Sequence, residues 1–370
     1  MKSSEDYAQI DSALITKMRF PLIFAIVLFH ARFQNVNFSD ANITLDTIKW
    51  YDVFTYSFES IGHIGVPLFY IISGYLFFYK NVSFGGLIYK SKIKKRVKSL
   101  LIPYFIWNVY SLLLILLASL VVPQYMSGRH NIINNFSVSE LLQYFYAIDG
   151  NNPINGPLWF VRDLMVVTLC SPVIYYVIKK WCLTFLSILG LLWFTGFWGT
   201  NICGLYGFSS SAFLFFSIGA AFSIRHKYLS KYMSIWGGKI VPLYIFVNVF
   251  DNLTRGLFPY HELVHNICIL LGIIAFIKIM VLCVNNNKAL VFDKLSDYSF
   301  FLYCYHATVA IFLKKIALKL VDFQRSLIAN LELLFFYILI VFFIVVVGYG
   351  LYCFARRFFP SFTKVLMGAR

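Results

Sequence analysis

Charge is what this sequence has least of. Only 13% of its 370 residues are Asp, Glu, Lys or Arg, while 60% are hydrophobic. A soluble domain carries about 25% charged residues, so an ordinary water-facing surface is excluded. Acidic residues are the scarcer sign, 16 against 32 basic, for a formal net charge of +16. That charge is not gathered on one face. Lys and Arg fall in short loops while the aromatics follow the apolar runs, which argues against nucleic acid as a partner. A C-x-x-C pair is missing among the seven cysteines, Cys170, Cys182, Cys203, Cys268, Cys283, Cys304 and Cys353. Each lies in or beside an apolar run and reads as a small core residue rather than as part of a disulfide framework or metal site. No linker, low-complexity tract or appended soluble domain interrupts the chain, and no internal repeat stands out. Residues 1–16 carry Glu5, Asp6 and Asp11 and lack an A-x-A site. The first apolar run is therefore expected to remain as an anchor rather than to be cleaved as a signal peptide.

What is present is a set of long apolar runs, with 40 Phe and 25 Tyr. One soluble core cannot hide so many large rings, so lipid is the solvent for much of the surface. Continuous runs of about 17–25 residues suit spanning helices, whereas barrel strands alternate with period two. The expected fold is an all-α integral membrane protein, a polytopic bundle of about ten transmembrane helices forming one domain over residues 1–370. The runs lie near 14–34, 62–79, 99–121, 158–178, 183–200, 207–224, 239–251, 265–284, 298–317 and 331–354. The seventh is short, held between Gly237-Gly238 and Asp251-Asn252. Basic clusters follow every second run: Lys80, Lys90, Lys92, Lys94, Lys95, Arg96 and Lys98; Lys179 and Lys180; Arg225, Lys227, Lys231 and Lys239; Lys288 and Lys294; Arg356, Arg357, Lys364 and Arg370. Both termini should then be cytoplasmic. The alternate loops 35–61 and 122–157 hold Asp40, Asp46, Asp52, Glu140 and Asp149. Lys314, Lys315, Lys319 and Arg325 break the pattern, since they follow the ninth run on the outer side. Either they snorkel or they line a cavity.

The first run contains two residues that lipid disfavours, Arg19 and His30. Eleven positions make about three helical turns, so both point the same way, about 16 Å apart along the axis. Such a stripe faces a polar cavity, because exposure to lipid costs several kcal/mol. The alternative is a snorkelling Arg and a histidine bonded to a neighbouring helix. A second imidazole, His306, lies in the ninth run and adds weight to a proton-handling cavity. His261-Glu262-Leu263-Val264-His265 spells H-E-x-x-H, which on a helix places two zinc ligands on one face beside a water-activating carboxylate. Pro259 puts the motif at a helix start, however, and no third ligand follows before Asp293 and Asp297. No metal is therefore expected, and these histidines read as interfacial or as part of an outer mouth. His63 and His130 read first as surface groups. Trp50, Trp107, Trp159 and Trp198 read first as interface anchors.

Several segments together resemble the membrane acyltransferase-3 family of bacterial cell-envelope O-acyltransferases. Arg19 to His30 is similar to that family's Arg, ten residues, His pattern in the first helix. Gly65-Val-Pro-Leu-Phe-Tyr-Ile-Ile-Ser73-Gly74 resembles the second-helix segment ending in Ser-Gly. Lys95-Arg96-Val-Lys98-Ser-Leu-Leu-Ile-Pro103-Tyr104 resembles the basic loop before a Pro-Tyr helix start. Gly156-Pro-Leu-Trp159 resembles a Leu-Trp helix opening, and Leu295-Ser296 through Tyr303 to His306 the Ser-Tyr…Tyr…His segment. The chain departs at the Glu-Glu pair that larger members carry after the Trp. Leu164 and Met165 stand there, with Arg162-Asp163 just before, and that pair's roles are not carried over. The lack of an attached esterase-like domain is similar to the short members.

The resemblance implies an O-acyltransferase, most simply an O-acetyltransferase, in the bacterial cytoplasmic membrane. It would move an acyl group from cytosolic acyl-CoA, a co-substrate rather than a bound cofactor, to an envelope saccharide such as O-antigen, capsule or a lipid-linked precursor. Arg19, Arg96, Lys98 and Lys95 would meet the CoA phosphates. His30, with Arg19, would be catalytic, as general base or transient acyl carrier. Ser73, Trp159, Arg162, Asp163, Tyr303 and His306 would line the acceptor pocket. A saccharide transporter or flippase wants similar polar residues in its centre and stands as the alternative from another class. A membrane zinc metalloprotease built on the H-E-x-x-H motif stands further off.

Overall fold

The computed structural model describes residues 4–34, 36–37, 42–43, 49–79, 84–125, 137–147, 152–202, 204–235, 238–259, 261–286, 290–323 and 326–368. Lys80, His130, Cys203, Gly237, Lys288, Arg325, Arg370 and the loop acids Asp40, Asp46 and Asp149 lie outside these residues. Helices dominate: α1 Ser4–Ala31, α2 Lys49–Phe78, α3 Gly86–Arg96, α4 Ile102–Val121, α5 Val138–Tyr146, α6 Trp159–Leu169, α7 Ser171–Phe194 and α8 Ser210–Ile224. After them come α9 Leu229–Ile235, α10 Ile240–Leu253, α11 His261–Asn285, α12 Leu290–Ser296, α13 Ser299–Leu318, α14 Ser326–Phe358 and α15 Pro360–Leu366. The strands among the described residues form two minimal hairpins, Val36–Asn37 with Asn42–Ile43 and Asn201–Ile202 with Leu205–Tyr206.

Among the described residues, seven helical stretches are long and apolar enough to cross a membrane. One of them is the continuous stretch Gly86–Val121, in which α3 passes into α4 through a wider turn at Val97–Leu101. Pro103, just beyond that turn, has no N–H to continue the regular ladder, which accounts for the bulge. The expected sixth and seventh runs fall on α8 and α10, apolar helices of 15 and 14 residues. At 1.5 Å per residue they reach about 20 Å, short of a hydrocarbon core of about 30 Å. The expected fourth and fifth runs map onto α6 and α7. Trp181 inside α7 leaves helical geometry (φ −132°, ψ 46°), at the place where the two runs were expected to part. Along α14, Leu327, Leu331, Phe335, Ile338 and Phe342 are exposed on one stripe. Their spacing of three or four residues marks a face made for lipid.

The chain folds as two compact units. The first comprises Met1–Ile26, Ser57–Arg96 and Asp163–Ser299, the second Val27–Tyr56, Val97–Arg162 and Phe300–Arg370. In the first, α7 packs along α8 and α10 along α11. α2 and α8 approach closely. A Cβ placed at Gly74 would lie 2.0 Å from the Phe216 carbonyl oxygen, and one at Gly219 would lie 1.9 Å from that of Ile71. The Ser-Gly of the second-helix motif thus serves a backbone-to-backbone contact, as small residues do between membrane helices. Asp11 is buried, and its carboxylate accepts hydrogen bonds from the Leu229 and Ser230 amides (2.8 Å each) and the Tyr75 hydroxyl (3.1 Å). It satisfies the unpaired amides at the start of α9. In the second unit the Trp107 indole donates to the Leu366 carbonyl (3.2 Å) and seats α15 on α4.

Candidate active site

The second unit holds a cavity of about 140 Å³, whose lining includes His30, Trp159, Thr308, Lys314 and Lys315. His30 is in the last turn of α1, where the final carbonyls have no helical partner. Side chains of the same unit supply those partners. Tyr337 donates to the Leu28 carbonyl (3.2 Å), and the Lys314 ammonium donates to those of His30 (2.9 Å) and Arg32 (3.2 Å). Beyond the helix, the Phe33 amide donates to the Tyr51 hydroxyl (2.7 Å), and the Tyr51 amide to Asn330 Oδ1 (2.8 Å). Arg32 is buried against Asp52 (2.8 Å) and Thr55 (3.2 Å), with its guanidinium 3.9 Å from the Tyr56 ring centre. The backbone carrying His30 is thereby held from three helices.

His306 of α13 is fully buried, and its ring centre is 5.1 Å from that of His30. Its Nδ1 donates to the carbonyls of Tyr303 (2.7 Å) and Leu302 (3.1 Å). A carbonyl only accepts, so the proton sits on Nδ1 and the neutral ring presents a lone pair at Nε2. Among the described residues that Nε2 has no hydrogen-bond partner. Asn155, also fully buried, ties the segment before Trp159 to α4 and α13. Its backbone amide donates to Asn108 Oδ1 (3.1 Å), while its side chain donates to the Cys304 carbonyl (2.8 Å). Tyr303 donates through its hydroxyl to the Pro157 carbonyl. Together these bonds fix the Gly156-Pro157-Leu158-Trp159 run and with it the half-buried indole of Trp159. Thr308 shares a hydrogen bond with Ser111 of α4 (2.7 Å).

Of the expected residues, His30 and Trp159 line the cavity, while His306 stands behind it against the His30 ring and Tyr303 bonds to the lining residue Pro157. Arg162 is buried in the same unit and donates to the Tyr146 carbonyl (2.9 Å). The other expected residues are placed as follows. Arg19 belongs to the first unit, half-buried with Asp297 as its charged neighbour, near an ion pair of Lys17 with Asp293 (2.8 Å). Pro21 stands between Arg19 and His30 along α1. Arg96 reaches the Ser73 carbonyl (3.5 Å) and lies 5.6 Å from the centre of the Phe77 ring. Lys95 and Lys98 are exposed, and Asp163 is buried in the first unit.

Sequence reasoning missed Asn108, Asn155 and Arg32. The signal for the first was available, since an Asn inside an apolar run needs a partner within the bundle. The doubt over Lys314 and Lys315 resolves in favour of a cavity, whereas Lys319 is exposed.

The H-E-x-x-H motif lies at the start of α11, where Pro259 led one to expect a helix start. Its histidines turn to α10: His261 Nε2 meets the Asp251 carbonyl (2.7 Å), and His265 Nδ1 meets Asp251 Oδ2 (2.8 Å). His265 Nε2 is 2.9 Å from His63 Nδ1 of α2, which lies 3.9 Å from Glu59, itself paired with Arg255 (3.2 Å). Glu262 is exposed. Among the described residues no group of three His, Cys, Asp or Glu side chains is arranged to hold a metal ion. The motif knits α2, α10 and α11 of the first unit.

These features define a class: a multi-pass helical membrane protein with a histidine pair beside a partly buried cavity of mixed polar and apolar lining. The chain belongs to the membrane acyltransferase-3 family, whose model, described as an acyltransferase domain, matches residues 15–353. It is also similar to the succinoglycan biosynthesis protein ExoH of Rhizobium meliloti (strain 1021). The two are 29% identical over 177 residues, which is 46% of this chain and 44% of that protein. The match thus spans less than half the length of that relative. No solved structure matches the chain.

Proposed function

We propose that this protein is a membrane O-acyltransferase that moves an acyl group, most simply acetyl, from cytosolic acyl-CoA to a hydroxyl of an envelope polysaccharide or its lipid-linked precursor. The observation that carries the reading is the pairing of His30 with His306 at a cavity in a chain of this family. The likeness to a succinoglycan biosynthesis protein supports a saccharide as acceptor. In the simplest course His30 takes the proton of the attacking hydroxyl. The new ester C–O bond forms as the thioester C–S bond breaks, and the departing thiolate takes that proton back. One ester and one free thiol result, and no proton is gained or lost. If His30 first carries the acyl group, the same balance holds over two steps. The free Nε2 of His306 offers a second acceptor for the proton in transit, and Trp159 offers a face for a sugar ring. Arg19, Arg96, Lys95 and Lys98 are assigned to the donor's phosphates on the cytoplasmic side.

This reading takes residues 1–370 as one domain of about ten spans in the bacterial cytoplasmic membrane, with both termini inside. Neither unit is contiguous in the chain and the family match runs through both, which supports a single domain. The test compares His30→Ala with wild type at matched protein levels in cells. Saccharide O-acetyl content should fall roughly 100-fold or more while the saccharide is still exported. Blocked export with esterification intact would favour a transporter instead.

A further inference from the structure

Lys314 both lines the cavity and bonds to the backbone of His30. A lysine near the end of a spanning helix ordinarily extends its ammonium to the water interface. Here the ammonium turns inward and donates to two carbonyls at the C-terminal end of α1, those of His30 and Arg32. Those carbonyls carry the negative end of the helix dipole, and placing a cation within the membrane is costly unless it is matched in this way. Lys314 also lies about two turns beyond His306 on the same helix. One helix thus supplies the second imidazole and the clamp on the first.

We propose that Lys314 is a positioning residue for the transfer reaction: by holding the last turn of α1 it sets where the His30 imidazole stands relative to the cavity and to His306. The proposal rests on the reading of His30 as base or acyl carrier. Tyr337 and Arg32, which are not among the lining residues, secure the same turn through bonds of their own, so loss of Lys314 should misplace the imidazole without unfolding α1.

The experiment measures transfer of labelled acetyl from acetyl-CoA to saccharide in membranes carrying wild type, Lys314→Met, Lys314→Arg and His30→Ala. Lys314→Met should lower kcat by roughly tenfold or more, as small misplacements of a catalytic group do, with KM for acetyl-CoA within about twofold of wild type. Lys314→Arg, which can still donate to both carbonyls, should recover much of the rate. Wild-type kcat in Lys314→Met, or a loss that falls on KM alone, overturns the proposal. So does failure of Lys314→Arg to exceed Lys314→Met at equal protein level. Should Lys314→Met fail to accumulate, Lys314→Gln, with its shorter and uncharged amide donor, decides instead: an intermediate kcat supports the proposal and a wild-type kcat overturns it. If His30→Ala keeps wild-type activity, the reading of His30 fails. If His30→Ala is inactive while Lys314→Met is normal, only the role of Lys314 fails.

Discussion

At the scale of single residues, the site depends on which nitrogen of His306 is free. His306 commits Nδ1 to the carbonyls of Leu302 and Tyr303, and this leaves Nε2 for chemistry. His306→Asn should preserve the donation, since the Asn amide can occupy the place of Nδ1, while removing the Nε2 lone pair. Transfer is expected to slow by roughly 100-fold, the usual scale of a proton-handling group, with the melting temperature in detergent nearly unchanged. A normal transfer rate in that variant would reduce His306 to a packing residue. Glu262 makes the opposite case. It is exposed at the start of α11 while its neighbours His261 and His265 bind Asp251. Glu262→Gln should leave saccharide O-acetyl content at the wild-type level, and purified protein should carry no stoichiometric zinc by elemental analysis.

At the scale of elements, two devices hold the first unit. The first is the close approach of α2 and α8, which requires Gly74 and Gly219. A methyl at either position would meet a backbone carbonyl near 2 Å, so the helices must move apart. Gly74→Ala or Gly219→Ala should cost about 1–3 kcal/mol, read as a lower melting temperature or a lower amount of folded protein in membranes. The second is the chain from Arg255 through Glu59, His63, His265 and Asp251 to His261. Asp251 is fully buried and its carboxylate meets His265 Nδ1, so Asp251→Ala strands that nitrogen, leaves the backbone bond to His261, and should cost on the order of 2 kcal/mol. Thermal unfolding checks this, and an unchanged melting temperature would mean that the cluster does not bind the helices together. Both devices were half visible in the sequence. The glycines and histidines could be seen as unusual within apolar runs, but Phe216 and Ile71 for the glycines, and His63 for His265, lie more than a hundred residues away on other helices.

At the scale of the whole molecule, the basic clusters and the apolar runs predict a topology that cysteine labelling can check. A cysteine introduced at Lys94 should react only with reagents that reach the cytoplasm, and one at Leu257, an exposed residue between α10 and α11, only from outside. Labelling of both from one side would overturn the expected alternation. Under the proposed function the donor is cytosolic acyl-CoA, so the orientation would belong to the function, the cations assigned to CoA having to face the cytosol.

Composition and periodicity alone determined the solvent of this protein, its helical nature, and the helices that carry out-of-place groups such as Arg19, His30 and His306. These are local properties: the length of an apolar run and the position of a polar residue within it need no knowledge of neighbours. Only tertiary structure decided that His30 meets His306, that Lys314 turns inward to grip the end of α1, and that the H-E-x-x-H histidines spend their nitrogens on Asp251. A one-dimensional pattern reports which face of a helix is polar, but in lipid many helix pairings bury such a face about equally well. The choice among them falls to particular close contacts, glycine against carbonyl and ammonium against helix end, which arise only when distant parts of the chain pack.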